Sequence, residues 1–458
     1  MKKILIKDAF LIVTMDDEKK KYENGYIIIS ENKIEEVGDR LPRDIKLENF
    51  EIISGKNCVV LPGFVNTHHH LYQTLTRCLK NSQDKELFDW LIYLYDIWGK
   101  YLNPDTVRYS TKLGCGELLL TGCTTCVDMF YVFPNNQPEN LLDYEIKSAK
   151  EVGIRFVPCR GAMSRGKTHG GLPPDHLVQK EEQIIKDYLR VIEKFHDGKD
   201  FSMTQIVLAP CSPFSVTEKL LKETAKLAKE KNVLCHTHLA ETKDEEKYCI
   251  ENFCTRPLEY LEQCGWLNDR SFFAHSIYLN DEEIKKLAKS GSGVSHCPTS
   301  NLRLGSGIMR LKFMKDAGVN ISLAVDGSAS NDSSNMLSEL RQCLLVHKYF
   351  SGPSSISAED IFWIATRGGA KVLHREDIGS ISKGKAADIV MFRIDKLGYI
   401  GGLEDPLSAL LYCGDSQTAE TVIVNGKIVV KEGNLVTVDE IKMFDEYMLK
   451  YRDIINYK

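Results

Sequence analysis

A regular alternation of short apolar strands and amphipathic helices runs through the middle of this chain, from about residue 61 to about residue 374. Repeated β–α alternation predicts a parallel sheet, and about eight such units fit this length of chain. The pattern therefore favours a (β/α)₈ barrel. A doubly wound open sheet is the alternative, but its usual Gly-x-Gly-x-x-Gly loop after the first strand is missing from the sequence.

One β–α unit shows the pattern clearly. Residues 205–209 form an apolar strand-like run, and residues 215–218 (Ser-Val-Thr-Glu) have the form of a capping box at the start of a helix. The apolar face of that helix is expected to contain Leu220, Leu221, Thr224, Leu227 and Ala228. The next strand is predicted over residues 233–238.

Both ends of the chain have a β-rich pattern instead. Near the N-terminus, two strand-like runs are joined by a charged turn that is expected to end at Asn24-Gly25. Near the C-terminus, Asn425-Gly426 lies between two β-branched runs, which is the strongest local signal for a hairpin. We expect one small β-sandwich domain built from residues 1–60 and 379–458, with a terminal helix, around a barrel formed by residues 61–378.

Composition excludes several classes of protein. The hydrophobic content of 43%, the charged content of 27% and the net charge of −5 are typical of a globular chain. There is no basic run of the kind that binds nucleic acid, and no stretch approaches the roughly 18 apolar residues of a membrane span. Lys7 and Asp8 interrupt the first apolar run, which argues against a signal peptide. We expect a cytoplasmic protein whose 14 scattered cysteines are reduced.

Three consecutive histidines follow the predicted strand at 59–61. In an extended segment residues i and i+2 point to the same side, so His68 and His70 can bind one ion while His69 points away. The carboxyl end of a strand is also where barrel enzymes place their active sites. A surface histidine cluster is the alternative interpretation.

Later strand ends carry the same residue types. They are His236 with His238, then His275, His296 and Asp326. Only one histidine of the first pair need be a ligand, since the other can be a core histidine with its hydrogen bonds satisfied. A series of imidazole and carboxylate groups at successive strand ends predicts a metal site. Zn²⁺, Fe²⁺ and Mn²⁺ all accept such ligands, and ligand type does not choose among them.

Several segments resemble the amidohydrolase superfamily over essentially the whole chain. The barrel signature resembles residues 62–70, and that of the second domain resembles residues 379–392 and 424–427. Within the superfamily the chain is similar to the mononuclear, cytosine-deaminase-like branch, and there to 8-oxoguanine deaminases and hydroxyatrazine ethylaminohydrolases. This narrower resemblance lies in residues 68–77, 84–98, 160–163, 170–174, 211–217, 236–241, 296–302 and 326–332.

The resemblance implies roles for individual residues. The implied ligands of one divalent metal, expected to be zinc with iron and manganese as alternatives, are His68, His70, His238 and Asp326. The implied catalytic residues are Glu241 as proton shuttle, His275 beside the nucleophilic water, and Asp326 as acceptor of the water proton. The implied substrate contacts are Gln73, Arg160, His236, Trp90 and the loop at residues 328–331.

The resemblance also implies an activity and a class of partner. The expected reaction is hydrolytic deamination of an aminated N-heterocycle, most simply 8-oxoguanine to urate and ammonia, by a homodimer. Guanine, a pterin or a hydroxy-s-triazine are alternative substrates. A cyclic amide hydrolase is a different possibility, but the lysine that dinuclear members carry is missing from the strand at 205–209. An inactive metal-binding paralogue ranks last, because every acid–base position is present.

Overall fold

The computed structural model describes residues 3–43, 45–414 and 417–455. The N-terminal segment forms the first five strands of the molecule. They are β1 (Lys3–Val13), β2 (Lys21–Ser30), β3 (Lys33–Gly38), β4 (Phe50–Ser54) and β5 (Cys58–Pro62). Strand β1 pairs with β2 in the antiparallel direction and with β4 and β5 in the parallel direction.

The next eight strands form a parallel sheet in which every strand lies beside its neighbour in sequence. They are β6 (Phe64–Asn66), β7 (Cys123–Phe130), β8 (Arg155–Ala162), β9 (Val207–Pro210), β10 (Leu234–Leu239), β11 (Ser271–His275), β12 (Gly293–His296) and β13 (Asn320–Leu323). The first and last strands meet where Thr67 N donates to Leu323 O at 3.4 Å and Asp326 N donates to His68 O at 3.2 Å. The sheet is therefore a nearly closed barrel.

Helices α1 to α13 lie in the barrel segment of the chain. They are α1 (Leu87–Tyr101), α2 (Pro104–Leu120), α3 (Leu141–Val152), α4 (Glu181–Phe195), α5 (Glu218–Lys231), α6 (Lys243–Phe253), α7 (Pro257–Gln263), α8 (Asp281–Ser290), α9 (Pro298–Arg303), α10 (Leu311–Asp316), α11 (Met336–Ser351), α12 (Ala358–Trp363) and α13 (Gly369–Val372). Among the described residues, no helix has the length and apolar character needed to cross a membrane.

The C-terminal segment completes the sheet that the N-terminal segment begins. Its elements are β14 (Ile389–Arg393), α14 (Pro406–Tyr412), β15 (Thr421–Val424), β16 (Lys427–Lys431), β17 (Asn434–Leu435) and α15 (Glu440–Ile455). Strand β14 pairs antiparallel with β5, so strands from both termini form one mixed, nine-stranded sheet. Side chains from both ends also share one apolar core, which includes Ile27, Ile389 and Ile423. The predicted fold class, a (β/α)₈ barrel with a β domain from both termini, is confirmed.

Two local predictions were wrong. Asn24-Gly25 lies inside β2 and not in the turn, beside a register shift in the pairing of β1 with β2. Glycine is needed at this position because the Cβ of any other residue at Gly25 would lie only 2.8 Å from Ile12 Cδ1. Helix α5 takes its N-cap from Thr217, whose hydroxyl accepts from Leu220 N at 3.2 Å. The hydroxyl of Ser215, the predicted cap, is instead 2.7 Å from that of Ser212.

Other local predictions are confirmed. The predicted apolar residues of α5 are all buried. Asn425-Gly426 forms the turn between β15 and β16, with φ angles of 49° and 77° that suit a two-residue hairpin. All 14 cysteines are free thiols, and all but three are buried.

Candidate active site

The carboxyl ends of the barrel strands bring five buried, chemically reactive side chains together. They are His68 and His70 after β6, His238 in β10, His275 at the end of β11, and Asp326 shortly after β13. His69 points elsewhere, with Nε2 3.0 Å from the hydroxyl of Ser334, as the alternation of an extended chain predicts.

The imidazole rings of His70 and His238 point the lone pairs of their Nε2 atoms at each other, which is electrostatically unfavourable for two neutral rings. The Nδ1 atoms of His70 and His238 lie 2.8 Å from Met129 O and 2.6 Å from Cys211 O. A carbonyl oxygen only accepts, so each Nδ1 carries the hydrogen and each Nε2 of a neutral ring has a lone pair. Burial lowers the pKa of both rings, which keeps them neutral. Yet the two Nε2 atoms are only 3.2 Å apart. A cation shared by the two nitrogens would remove this repulsion.

A third lone pair points into the same space. His236 Nδ1 lies 2.8 Å from Phe272 O, so it carries the hydrogen and leaves His236 Nε2 as an acceptor. His68 Nδ1 lies 2.7 Å from that acceptor and therefore donates to it. The Nε2 of His68 is then an acceptor, and it has no hydrogen-bond partner. His236 stands behind His68, stacked on Phe272 at 4.0 Å, and not in the cavity.

Asp326 supplies the anionic ligand of the cluster. Its Oδ1 lies 3.3 Å from His68 Nε2 and 3.5 Å from His70 Nε2. Burial alone would raise the pKa of Asp326, but the neighbouring imidazoles hold it well below its ordinary value, so the group is a carboxylate. Three neutral imidazoles and one carboxylate are residue types that could hold a divalent metal such as zinc.

An acid–base pair adjoins this cluster. His275 Nε2 lies 3.5 Å from Glu241 Oε2 and 3.9 Å from Asp326 Oδ2, and Asn301 Oδ1 lies 2.8 Å from the other ring nitrogen. Burial raises the pKa of Glu241 well above its ordinary value, and the charges of Asp326 and Glu245 raise it further. A carboxyl group whose pKa is raised in this way is suited to act as a general acid.

Glu241 is held over the cluster by a sharp turn after β10. Ala240 in that turn has a φ of +50°, a conformation that costs free energy for a residue with a side chain. The Glu245 carboxylate accepts from the backbone N–H groups of Ala240 and Glu241, both at 2.9 Å, and stabilises the turn.

A small, partly open cavity lies beside these groups. Gln73 and Trp90, which the sequence predicts to contact the substrate, both line it. Gln73 lies in the 3₁₀ helix Leu71–Thr76 with only 1% of its surface exposed, and its Oε1 accepts from Ala329 N at 3.3 Å. From the loop at 328–331, Ser330 lines the cavity.

Arg160 does not reach the cavity. Its guanidinium group donates to Asp187 at 2.6 Å, to Gln179 at 3.0 Å and to the backbone oxygen of Gly161, and it packs on the ring of Phe133. Every nitrogen is thereby used within the protein. The structure thus gives Arg160 a structural role and not a substrate contact.

Sequence reasoning missed several residues of the cavity wall, which are Tyr95, Tyr131, Cys211 and Phe214. One signal could have found Tyr95. It shares with Trp90 and Leu91 the spacing that defines one face of a helix, and the structure buries that face.

The comparisons with known proteins identify the family. The model of the amidohydrolase family matches residues 59–429, which is most of the chain. The chain belongs to the amidohydrolase family. This confirms the resemblance inferred from the sequence.

The chain is similar to two curated relatives and to one solved structure. The chain is 45% identical to an 8-oxoguanine deaminase of Pseudomonas aeruginosa, over 83% of this chain and 84% of that protein. It is 31% identical to the hydroxydechloroatrazine ethylaminohydrolase of Pseudomonas sp. strain ADP, over 91% of this chain and 88% of that protein. The structure of atrazine chlorohydrolase from Arthrobacter aurescens TC1 complexed with zinc superimposes with a TM-score of 0.93 at 31% identity, covering 98% of this chain and all of that one.

These relatives share hydrolysis as their chemistry, and the chain is an aminohydrolase of this family, an enzyme that cleaves C–N bonds with water. The imidazole–carboxylate cluster and the zinc-complexed neighbour together support a divalent metal in the site.

Proposed function

We propose that the protein is a mononuclear, zinc-dependent deaminase that hydrolyses 8-oxoguanine to urate and ammonia. The observation that carries the proposal is the convergence of three imidazole lone pairs and one carboxylate beside the buried carboxyl group of Glu241. The choice of 8-oxoguanine rests on the 45% identity to the Pseudomonas aeruginosa deaminase.

His68, His70, His238 and Asp326 would hold the metal. When bound, a divalent cation acts as a Lewis acid and makes water a competent nucleophile near neutral pH. Asp326 has a second oxygen, Oδ2, that accepts from the Ser330 hydroxyl at 3.3 Å and faces His275 at 3.9 Å. This oxygen is placed to accept a proton from the attacking water.

Glu241 completes the proton transfers of the reaction. Its protonated carboxyl can deliver a proton to a ring nitrogen as water adds to the neighbouring amino-bearing carbon. The Glu241 carboxylate then takes the remaining proton of the added hydroxyl and passes it to the amine nitrogen, so that the C–N bond breaks and ammonia leaves. The proton that Asp326 took from water returns to Glu241, which restores both groups, and Glu241 acts in turn as acid, base and acid. His275, 3.5 Å from Glu241, orients the reacting oxygen.

Gln73 would bind the heterocycle. An amide side chain offers one acceptor and two donor hydrogens, which complement the O=C–N–H unit of an oxo-purine. The adjoining wall is apolar, with Leu87, Leu91, Phe214 and Leu304, and suits the faces of a flat ring.

Ammonia release from a substrate panel tests this proposal. The panel contains 8-oxoguanine, guanine, isoxanthopterin, cytosine, S-adenosylhomocysteine and hydroxyatrazine, with released ethylamine measured for the last. We expect the highest kcat/KM for 8-oxoguanine and no turnover after the metal is removed. A higher kcat/KM for any other member would replace 8-oxoguanine as the proposed substrate.

Amine removal from a hydroxy-s-triazine is the second candidate. It is favoured by the 31% identity to the hydroxydechloroatrazine ethylaminohydrolase and by the backbone similarity to atrazine chlorohydrolase. The same residues would act, with ethylamine in place of ammonia as the leaving group.

We further propose that the enzyme is a cytoplasmic homodimer with domain segments at residues 1–60, 61–378 and 379–458. Exposed apolar side chains such as Tyr349, Leu397 and Ile400 are consistent with an association surface. Light scattering coupled to size-exclusion chromatography measures the mass directly, and a monomer would overturn the dimer.

A further inference from the structure

Helix α1 places a tyrosine in the wall of the cavity, and the hydroxyl of that tyrosine is buried. Tyr95 lies on the buried face of the helix with Trp90 and Leu91, all three residues line the cavity, and the tyrosine has none of its surface exposed. Its ring packs edge-on against Trp98 at 5.9 Å, which fixes its direction. The candidate metal ligands and the acid–base pair form no hydrogen bond with this hydroxyl.

The Tyr95 hydroxyl is a buried donor without an acceptor. No group among the described residues accepts a hydrogen bond from it, and the indole Nε1 of Trp90 likewise has no acceptor among them. An unsatisfied polar group in a protein interior costs free energy and calls for an explanation. Tyr131, Cys211 and Glu241 lie near Tyr95, but none of them accepts a hydrogen bond from its hydroxyl. Because Tyr95 lines the cavity, the acceptor is to be sought in a molecule that enters it.

The chemistry of the two groups defines what they can bind. An indole N–H only donates, and a phenol donates as long as it holds its proton. Burial raises the pKa of Tyr95 well above its ordinary value, with smaller contributions from Tyr131, Cys211 and Glu241, so the phenol stays protonated. The complementary ligand group is a hydrogen-bond acceptor, and an oxo-substituted heterocycle supplies one as its carbonyl oxygen.

We propose that Tyr95 is a specificity-determining residue whose hydroxyl donates to an oxo group of the substrate, on the ring other than the one that Gln73 pairs with. The inference rests on the proposed deaminase function and extends it to a rule for substrate choice. The site selects bicyclic aminoheterocycles with an additional carbonyl oxygen over the same ring without it. Trp90 donates to the same acceptor region.

The test uses substrate pairs that differ by this oxo group. These are 8-oxoguanine against guanine, and isoxanthopterin against pterin. In Tyr95→Phe we expect kcat/KM for the oxo member of each pair to fall roughly tenfold or more, because its carbonyl loses a donor, while the partner changes little. The ratio within each pair therefore shrinks. Trp90→Phe is expected to act in the same direction.

Stability separates this role from a structural one. Because the hydroxyl has no protein partner, Tyr95→Phe should retain its metal and unfold at the same or a higher temperature than the parent. Tyr188→Phe is the matched control, since Tyr188 is a fully buried tyrosine on α4 that does not line the cavity. It should leave both substrate ratios unchanged.

The outcomes are distinguishable. A parent enzyme that releases ammonia from none of the four heterocycles overturns the proposed function and the rule built on it. A parent that is active, with unchanged ratios in Tyr95→Phe, overturns the role of Tyr95 alone. A fall in melting temperature with equal losses on both members of each pair would show that Tyr95 is structural.

Discussion

The Nε2 atoms of His70 and His238 lie 3.2 Å apart, although the Nδ1 of each ring already donates to a backbone carbonyl. Met129 O and Cys211 O therefore determine the tautomer of both rings from behind. The protein maintains two opposed lone pairs in a buried position, and a cation bound between them would remove their repulsion.

The first prediction concerns metal content. Purified active protein should contain one divalent metal per chain, and a chelator should remove metal and activity together, because His68, His70 and His238 can share one ion and Asp326 lies beside two of them. The metal-free protein should unfold at a lower temperature and recover on addition of Zn²⁺. Elemental analysis checks the stoichiometry, and two tightly bound metals per chain would contradict it.

His68→Ala should lose the metal; a fully active, metal-loaded variant would remove His68 from the ligand set.

The second prediction concerns Glu241. Glu241→Gln keeps the shape of the side chain but cannot shuttle a proton, so kcat should fall by about 10²–10⁴-fold while metal content and substrate binding persist. Steady-state kinetics and a binding titration of the variant separate the two effects. Turnover close to that of the parent would assign the proton transfer to His275 or to another group.

The third prediction concerns Gln73. Gln73→Ala leaves the polar edge of the heterocycle unpaired in a buried site, which should cost about 1–3 kcal/mol in kcat/KM for oxo-purines. Simpler amines should be affected less, and metal content should not change. An identical kcat/KM profile across the substrate panel would show that Gln73 serves only the loop at residues 326–330, where its Oε1 accepts from Ala329 N.

The fourth prediction concerns His236, which accepts the hydrogen of His68 Nδ1 at 2.7 Å. His236→Phe removes this acceptor, so His68 loses its orientation and the metal affinity should fall by about 10–100-fold. His236→Gln offers an amide oxygen and should restore part of the affinity. Competition with a chelator measures both. Equal metal affinity in the parent and in His236→Phe would show that His236 only fills space.

The fifth prediction separates Arg160 from the substrate site. Arg160→Gln breaks the buried pair with Asp187, which keeps only its bond from Arg190 at 2.6 Å. Stability should fall by about 1–3 kcal/mol, as chemical denaturation would measure. The kcat/KM profile of the folded variant should match that of the parent. A selective loss for one substrate would place Arg160 back among the substrate contacts.

Much of the fold and of the metal cluster could be predicted from local pattern. The alternation of strands and helices indicates a parallel barrel, and parallel strands bring all their carboxyl ends to one face. A histidine or aspartate at such an end, as at His238 or Asp326, is therefore directed to the same place as His68 and His70. Two-residue alternation in an extended chain was enough to separate these two from His69.

Tertiary structure decided the direction of the remaining side chains. Arg160 lies on a barrel strand as His238 does, but the sequence does not reveal that Asp187 and Phe133 approach it from other elements. Likewise, only the packing of β11 beside β10 places Phe272 O where it accepts a hydrogen bond from His236 Nδ1. That bond leaves His236 Nε2 free to accept from His68. Periodicity specifies which face of an element is buried, because that depends on local geometry. Which polar partner a buried group meets depends on contacts between distant segments, and those exist only in the folded chain.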